Sequence, residues 1–365
     1  MKIFPFHAIY PNTNLIASSD AFFSTVRDDY TQYLNSGFFH ESPEKAFYIF
    51  EIKTGKKTHS GLVVCLDVTD YSSGKIVRHE QTIASSEQEM LKVLLQRGAM
   101  VKPVLLCHPD VKEIAKEIEK QKKKQKLFLE IDAPGSGTDY RLYQIPEKDG
   151  QELSKLYKSL IPKVYIADGH HRCSTGEKLL KMHKDGKDYS LLLAALFPFD
   201  QLDILDYNRV VQLPYNLKLT RFMAEISQVC DIKSIPKPAK PKRKHDMTMC
   251  IQDHWYQLRW KDDVLKKYKK LPAILDAHVL DEEVMDKILG IKDARTDNRI
   301  EYASGDLGPE RVEEKARSSD HHIGFCIYPV QFDELVKVSD SGGTLPPKST
   351  WFEPRMINGF IVKKY

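Results

Sequence analysis

Apolar positions along the chain follow two spacings. Short runs rich in Val, Ile, Leu, Tyr and Phe occur at 45–53, 59–68, 99–108, 126–132, 140–145, 164–167 and 190–199. Gly, Asp, Lys or Pro bound them, so they predict strands. Between them, 87–99, 111–127, 150–161 and 173–186 carry leucine and isoleucine at helical spacing, several closing on Gly or Lys. From 206 onward the pattern changes. A helical stretch at 220–230 leads into a Pro-rich basic loop at 237–245, strand-like runs at 247–253 and 255–260, a helical run at 281–291 and an apolar run at 322–330. This alternation predicts an α/β protein of mixed α+β type, with an N-terminal α/β region at 1–205 and a C-terminal α+β region at 206–365.

Composition narrows the class. A hydrophobic fraction of 41% over 365 residues supplies a packed core and excludes a disordered chain. The net charge of +4 is small, and its lysines gather at 120–126 and 237–245. The first group ends a predicted helix, where cations suit the helix dipole. Neither group comes with aromatic or base-reading partners, which disfavours nucleic acid. Six cysteines are scattered without a CxxC pair, and no apolar run reaches the length of about 20 residues that a membrane helix needs. A reduced, cytoplasmic protein is expected; the oligomeric state is open, a homodimer included.

The densest polar chemistry lies in KVYIADGHHRCSTGEKLL (163–180). A buried strand, the turn dipeptide Asp168-Gly169 and a helix starting near His170 are predicted. Such a strand end aims the free N–H groups and positive dipole end of the helix at whatever lies beyond, and an anion suits that place. Arg172 is expected to fork onto phosphate oxygens, with His170 and His171 donating to them. Asp168 would be repelled by the same phosphates, so a chemical role is expected of it, either holding Mg²⁺ or accepting a hydroxyl proton. The competing reading makes Asp168 a helix cap and the histidines surface polarity. Adjacent histidines point about 100° apart on a helix, which argues against zinc here and at His321-His322. Cys173, near a helix N-terminus, is a candidate for a lowered thiol pKa.

Other clusters add candidates. Arg78, His79 and Glu80 precede a predicted helix; Glu80 is either a general base or one half of an ion pair with Arg78. Lys348, Ser349 and Thr350 end a Pro-stiffened loop able to hold phosphate or carboxylate, though without the glycines of a Walker motif. Asn208 and Arg209 are either ligand contacts or internal turn residues. Arg295, Asp297 and Arg299 rank below these as a solvated loop.

YIADGHHR, together with MKIFPFHAIYPN, IVRHEQT (76–82), GAMVKPVLLCHPD, LDYNRVV (205–211), LDAHVLDEEVMDKILGI and LPPKSTWFEPRMINGF (345–360), resembles a large prokaryotic family known as domain-of-unknown-function family ten-fifteen. Many members carry a Pro-Tyr-Asp segment after the N-terminal motif; here that place reads SSDAFFSTVRDDYTQYL. The DGHHR turn is also similar to the phosphate-binding turn of the ParB–sulfiredoxin superfamily, some members of which phosphorylate free serine. That resemblance implies a ParB/sulfiredoxin-like nucleotide-binding core with additional α+β elements. It implies ATP, ADP or pyrophosphate as donor with Mg²⁺, phosphates on Gly169, His170, His171 and Arg172, and Asp168 and Glu80 as the catalytic carboxylates. Sulfiredoxins place a cysteine where this chain has His170, so their thiol reaction is not expected. The leading expectation is a small-molecule kinase acting on free L-serine, with Arg78, His79, Asn208 and Arg209 toward the substrate and Lys348, Ser349 and Thr350 toward phosphate. The alternative is a non-catalytic nucleotide-binding switch of ParB-like type.

Overall fold

Runs of apolar residues without polar alternation build a sheet that is covered on both faces. In the computed structural model, residues 1–81, 84–133, 135, 137–182 and 185–365 are described; Thr82 of the 76–82 motif and His183 and Lys184 of the 173–186 run lie outside the described residues. The chain divides into Met1–Asp203 with Pro354–Tyr365 (unit 1) and Ile204–Glu353 (unit 2). The tail from Pro354 thus belongs to unit 1, which a single cut at 205/206 does not provide for.

Unit 1 contains, among the described residues, a nine-stranded mixed sheet. Its strands in chain order are β1 (Ile3–Phe4), β2 (Ala46–Thr54), β3 (Lys57–Asp67), β4 (Ile76–Val77), β5 (Val104–His108), β6 (Leu127–Ala133), β7 (Thr138–Pro146), β8 (Val164–Asp168) and β9 (Leu191–Pro198). The spatial order is β4-β8-β5-β9-β3-β2-β7-β6, with β1 beside β3. Strands β4 and β8 run parallel, β8 and β5 antiparallel, and β5 and β9 parallel. All of β5 and nearly all of β9 are buried. At roughly 1.5–3 kcal/mol per buried Val or Leu side chain, these central strands carry much of the fold's stability.

Among the described residues, five α-helices complete unit 1: α1 (Ser19–Asn35), α2 (Ala84–Arg97), α3 (Lys112–Lys124), α4 (Gln151–Leu160) and α5 (His170–Met182). Helix α2 packs on α5, and α3 on α4. The α2–α5 contact includes buried Glu87, which accepts from Ser174 and Lys178. The lysine-rich end of α3 is a helix C-terminus, where Lys122, Lys123 and Lys124 face the negative dipole end.

One predicted strand is divided. Within 99–108, Ala99–Met100 pairs with Lys363–Lys364 of the C-terminal segment, while Val104–His108 joins the main sheet as β5. Pro103 has no N–H to offer a sheet ladder, so the chain breaks at 101–103. That break places Lys102 beside the end of β8, within 3.4 Å of Asp168.

Unit 2 folds around a six-stranded sheet whose pairings are all antiparallel. It is formed by β10 (Tyr207–Gln212), β11 (Cys230–Ile235), β12 (Asp246–Ile251), β13 (His254–Trp260), β14 (Ile300–Ser304) and β15 (His322–Ile327). Helix α6 (Leu219–Val229) contributes Phe222 and Ile226 to a core shared with Met247, Leu258, Trp260 and Phe325. The helical run expected at 281–291 forms a π-helical turn at Asp281–Asp286.

All six cysteines are buried as free thiols. Burial pushes the Cys65 and Cys173 thiols up to about 12, so the helix N-terminus does not activate Cys173. The native protein should therefore show no fast-reacting thiol toward Ellman's reagent at pH 8, and all six should react once guanidinium unfolds it. A rapidly labelled cysteine in the native protein would contradict this packing.

Candidate functional site

Three chain segments meet at one edge of the unit 1 sheet, and the strand directions explain why. Because β4 and β8 are parallel neighbours, pairing Ile76 with Val164 and Val77 with Tyr165, their C-terminal ends emerge side by side. Arg78-His79-Glu80 leaves one end and Asp168-Gly169 the other. Strand β5 runs antiparallel to β8, with Leu105 opposite Asp168, so the residues just before β5 reach the same edge. Lys102 is delivered there. The C-terminal segment is tied to this loop by the Gly359 N–H bond to the Val101 carbonyl, 2.6 Å, and it brings Arg355 into the same field. Ligands of open α/β sheets characteristically bind beyond such strand ends.

The turn itself requires glycine. Gly169 has φ +110°, and a Cβ there would lie 2.5 Å from Val104 Cγ1 and 2.9 Å from Arg172 Nη2. Its carbonyl accepts the Cys173 N–H at 3.1 Å, which starts α5. The N–H groups of the first helical turn, on His170, His171 and Arg172, have no acceptor one turn earlier in the helix.

Arg172 is employed differently from the expected phosphate fork. Nη2 donates to Asp168 Oδ2 at 2.8 Å, and Nη1 donates to the carbonyls of Lys102, at 3.1 Å, and Pro103. The guanidinium is only 12% exposed. It braces strand end, helix start and the Lys102 loop.

Asp168 Oδ2 also lies 3.4 Å from Lys102 Nζ. Burial alone would raise the Asp168 carboxyl. The charges of Arg172, Lys102 and Arg355, with a hydrogen bond from Lys102, reverse this and hold it well below the usual carboxylate range. Burial lowers the Lys102 ammonium; Asp168 opposes this, Arg172 and Arg355 add to it, and the result is about 8. Asp168 is thus a poor proton acceptor. It also does not fit the Mg²⁺ expected at it, since two cations already face the same oxygen. Among the described residues, no three His, Cys, Asp or Glu side chains gather as a metal site.

The histidines form a buried edge. His170 and His79 pack edge to face with ring centroids 4.5 Å apart. Burial lowers His170, Asp168 opposes this, and the His171, Arg172 and Arg78 charges add to it, leaving it at about 4; burial, with His170, lowers His79 well below its ordinary value. His170 is neutral at physiological pH. It is 94% buried, given 6% exposure, and its Nε2 has no hydrogen-bond partner among the described residues. Glu80 is half exposed, with Oε2 at 3.7 Å from His170 Nδ1. Arg78 bonds back to the Tyr71 hydroxyl.

Unit 2 holds the other sequence candidates, and most are internal. Asn208 and Arg209, expected to be either ligand contacts or internal turn residues, are fully buried. Asn208 donates to Asp206 at 2.5 Å and accepts from the Ile327 N–H at 3.2 Å. Arg209 lies 3.1 Å from Asp281, donates to the Tyr207 carbonyl at 3.2 Å and stacks over Tyr302. The Ser349 hydroxyl donates a hydrogen bond to the Pro346 carbonyl at 2.7 Å, and Lys348 sits over the Tyr207 ring at 5.4 Å. Thr350 is half-buried beside them. Arg295 and Arg299 pair with Asp293 and Asp297.

Sequence reasoning missed Lys102 and Arg355. The motif signal was present around both, in GAMVKPVLLCHPD and LPPKSTWFEPRMINGF, but nothing in either run indicates that they meet Asp168.

No curated protein sequence matches the chain. Among solved structures, a free serine kinase in complex with AMP is similar at 14% identity, over 82% of this chain and 91% of that one, with a TM-score of 0.40. SbnI with a C-terminal truncation, from Staphylococcus aureus, is similar at 11% identity over 81% and 85% of the two chains, TM-score 0.43. A conserved hypothetical protein from Pyrococcus furiosus follows at 15% identity over 81% and 94%, TM-score 0.39. The family model described as Protein of unknown function (DUF1015) matches residues 6–282, most of the chain, and the chain belongs to that family.

Proposed function

We propose that the protein is a small-molecule kinase that binds the phosphates of a nucleotide or pyrophosphate at the start of α5 and transfers a phosphoryl group to a hydroxyl. The observation that carries this reading is the buried, neutral His170, whose Nε2 has no hydrogen-bond partner among the described residues, at the head of a helix facing a surplus of cationic side chains. A buried polar atom of this kind calls for a partner. An oxyanion seated on the first-turn N–H groups would supply it.

Free L-serine as acceptor and a ParB/sulfiredoxin-like core rest on the similarity of the DGHHR turn to that of free serine kinases. In this reading the serine oxygen attacks the terminal phosphorus, the bond to the bridging oxygen breaks, and the hydroxyl proton passes to Glu80. Glu80 is preferred over Asp168 because it is the more exposed carboxylate, whereas Asp168 is held anionic by Lys102 and Arg172. Phosphoryl transfer needs mainly positioning and charge stabilisation, which the Lys102, Arg172 and Arg355 charges are suited to give. Mg²⁺ arriving on a nucleotide belongs to the substrate.

The direct test is formation of O-phosphoserine from serine with Mg²⁺ and ATP, ADP or pyrophosphate. One donor should support turnover. Glu80→Gln should lower kcat by roughly 10²–10⁴, the usual worth of a general base, while donor affinity stays within about threefold. Nucleotide binding without turnover on any donor would instead favour the regulatory switch.

A second expectation concerns pH. Since the Lys102 ammonium sits at about 8, the ligand-free site loses one positive charge as pH rises from 7 to 9. Donor affinity should fall roughly tenfold over that range, the scale of one charge-assisted contact. The sign for stability is opposite. Between pH 8 and the unfolded lysine value, the unfolded chain holds a proton that the folded one has released, so this group's contribution to stability rises with pH. Calorimetric titrations at pH 7 and 9 on wild type and Lys102→Arg check the affinity; the arginine variant should show a flat profile.

A further inference from the structure

We infer that Lys102, in the field of Arg355, is an oxyanion-binding residue that takes the place of a resident divalent metal at Asp168, and that Asp168 is a positioning residue for it. This deepens the kinase reading and rests on it only for the identity of the anion. Asp168 Oδ2 faces Arg172 Nη2 at 2.8 Å and Lys102 Nζ at 3.4 Å. At neutral pH, a doubly charged cation beside that oxygen would sit against two positive charges, with a third from Arg355 in the same field. An anion experiences the reverse. Three cations oppose one carboxylate, so the cluster keeps a net positive charge after Asp168 is counted.

The three cations are not equivalent. Arg172 is anchored by the carbonyls of Lys102 and Pro103 and has little freedom to turn outward. Lys102 has one carboxylate contact and a partly exposed side chain, and Arg355 is exposed. Lys102 therefore supplies the donor group that can move onto a phosphate oxygen, Arg355 adds its charge to the same field, and Arg172 fixes the loop from which Lys102 projects. Asp168 holds the Lys102 ammonium at the strand end in the absence of ligand, 3.4 Å away. The unpartnered His170 Nε2 marks the same strand end as a place awaiting a polar partner.

Titration calorimetry of the full chain with pyrophosphate in EDTA tests the assignment. Saturable binding is expected in EDTA. Lys102→Met should weaken it at least tenfold, Lys102→Arg should hold it within about threefold, and Mg²⁺ titrated alone should give no saturable heat. Thermal melts of both variants separate a folding defect from a lost contact, and the charge-preserving arginine variant keeps the test valid if the methionine variant is unstable. Pyrophosphate binding that appears only with added Mg²⁺, or Mg²⁺ binding to the free protein that Asp168→Asn abolishes, would overturn the assignment. Turnover in Lys102→Met with the wild-type donor KM would also overturn it, leaving the kinase reading intact. Binding through Lys102 with no phosphoryl transfer would do the opposite.

Discussion

The site depends on one guanidinium. Arg172 reaches back one helical turn to Asp168 and sideways to two consecutive carbonyls, at Lys102 and Pro103. Through these bonds it joins the end of β8, the start of α5 and the loop that enters β5. Each partner needs the others. Without Arg172 the Lys102 and Pro103 carbonyls lose their donor, and a partly buried Asp168 loses one of its two counter-charges. A partly buried, charge-assisted bond of this kind is worth about 1.5–3 kcal/mol. Gly169 makes the bond possible, since any Cβ there would meet both Val104 and the guanidinium itself.

Much of this arrangement is legible in the sequence, up to the limit of what local pattern encodes. The apolar VYIA run, the Asp-Gly dipeptide and the helical spacing after His170 predict strand, turn and helix, and β8, Gly169 and α5 follow that order. The Asp168–Arg172 spacing of i and i+4 is also that of an ion pair. A guanidinium beside a predicted helix start reads equally well as a phosphate fork, and the spacing alone does not separate the two. Lys102 and Arg355 are hidden for a different reason. One arrives through the antiparallel pairing of β5 with β8 and the other through a C-terminal segment that returns to unit 1. Pairing partners of central strands are set by packing over the whole sheet, which no single run specifies. The same limit explains the 99–108 run, where periodicity shows one strand and Pro103 divides it.

Unit 2 shows how polar residues mislead when burial is unknown. The basic loop 237–245 has the composition of a surface feature in search of a partner. Four of its basic side chains pair with buried carboxylates of the same unit: Lys240 with Asp206, Arg243 with Asp246, Lys244 with Glu334 and His245 with Asp276. Each of those four acids is almost fully buried, and an unpaired buried carboxylate is costly. The loop is a strap that satisfies them. Asn208 and Arg209 serve the same purpose, the first bonding Asp206 and the second lying against Asp281. In a single sequence, a polar residue that serves a core carboxylate and one that serves a ligand look alike.

The contrast between the two units gives the electrostatic logic of the candidate site. In unit 2, Asp246 receives Arg243 and Arg259, and Glu283 receives Lys267 and Lys287, so two cations on one acid are not in themselves a functional sign. At Asp168 two further conditions apply. The cations stand at a strand end with the first-turn N–H groups of a helix, which add positive potential without any side chain. Nearby, His170 remains neutral because burial, with the His171, Arg172 and Arg78 charges, outweighs the pull of Asp168 toward protonation. The imidazole therefore adds a hydrogen-bonding group without adding charge, and the low local dielectric strengthens what Lys102, Arg172 and Arg355 present outward. Asp168 offsets part of that potential, and the cluster around it keeps a net positive charge.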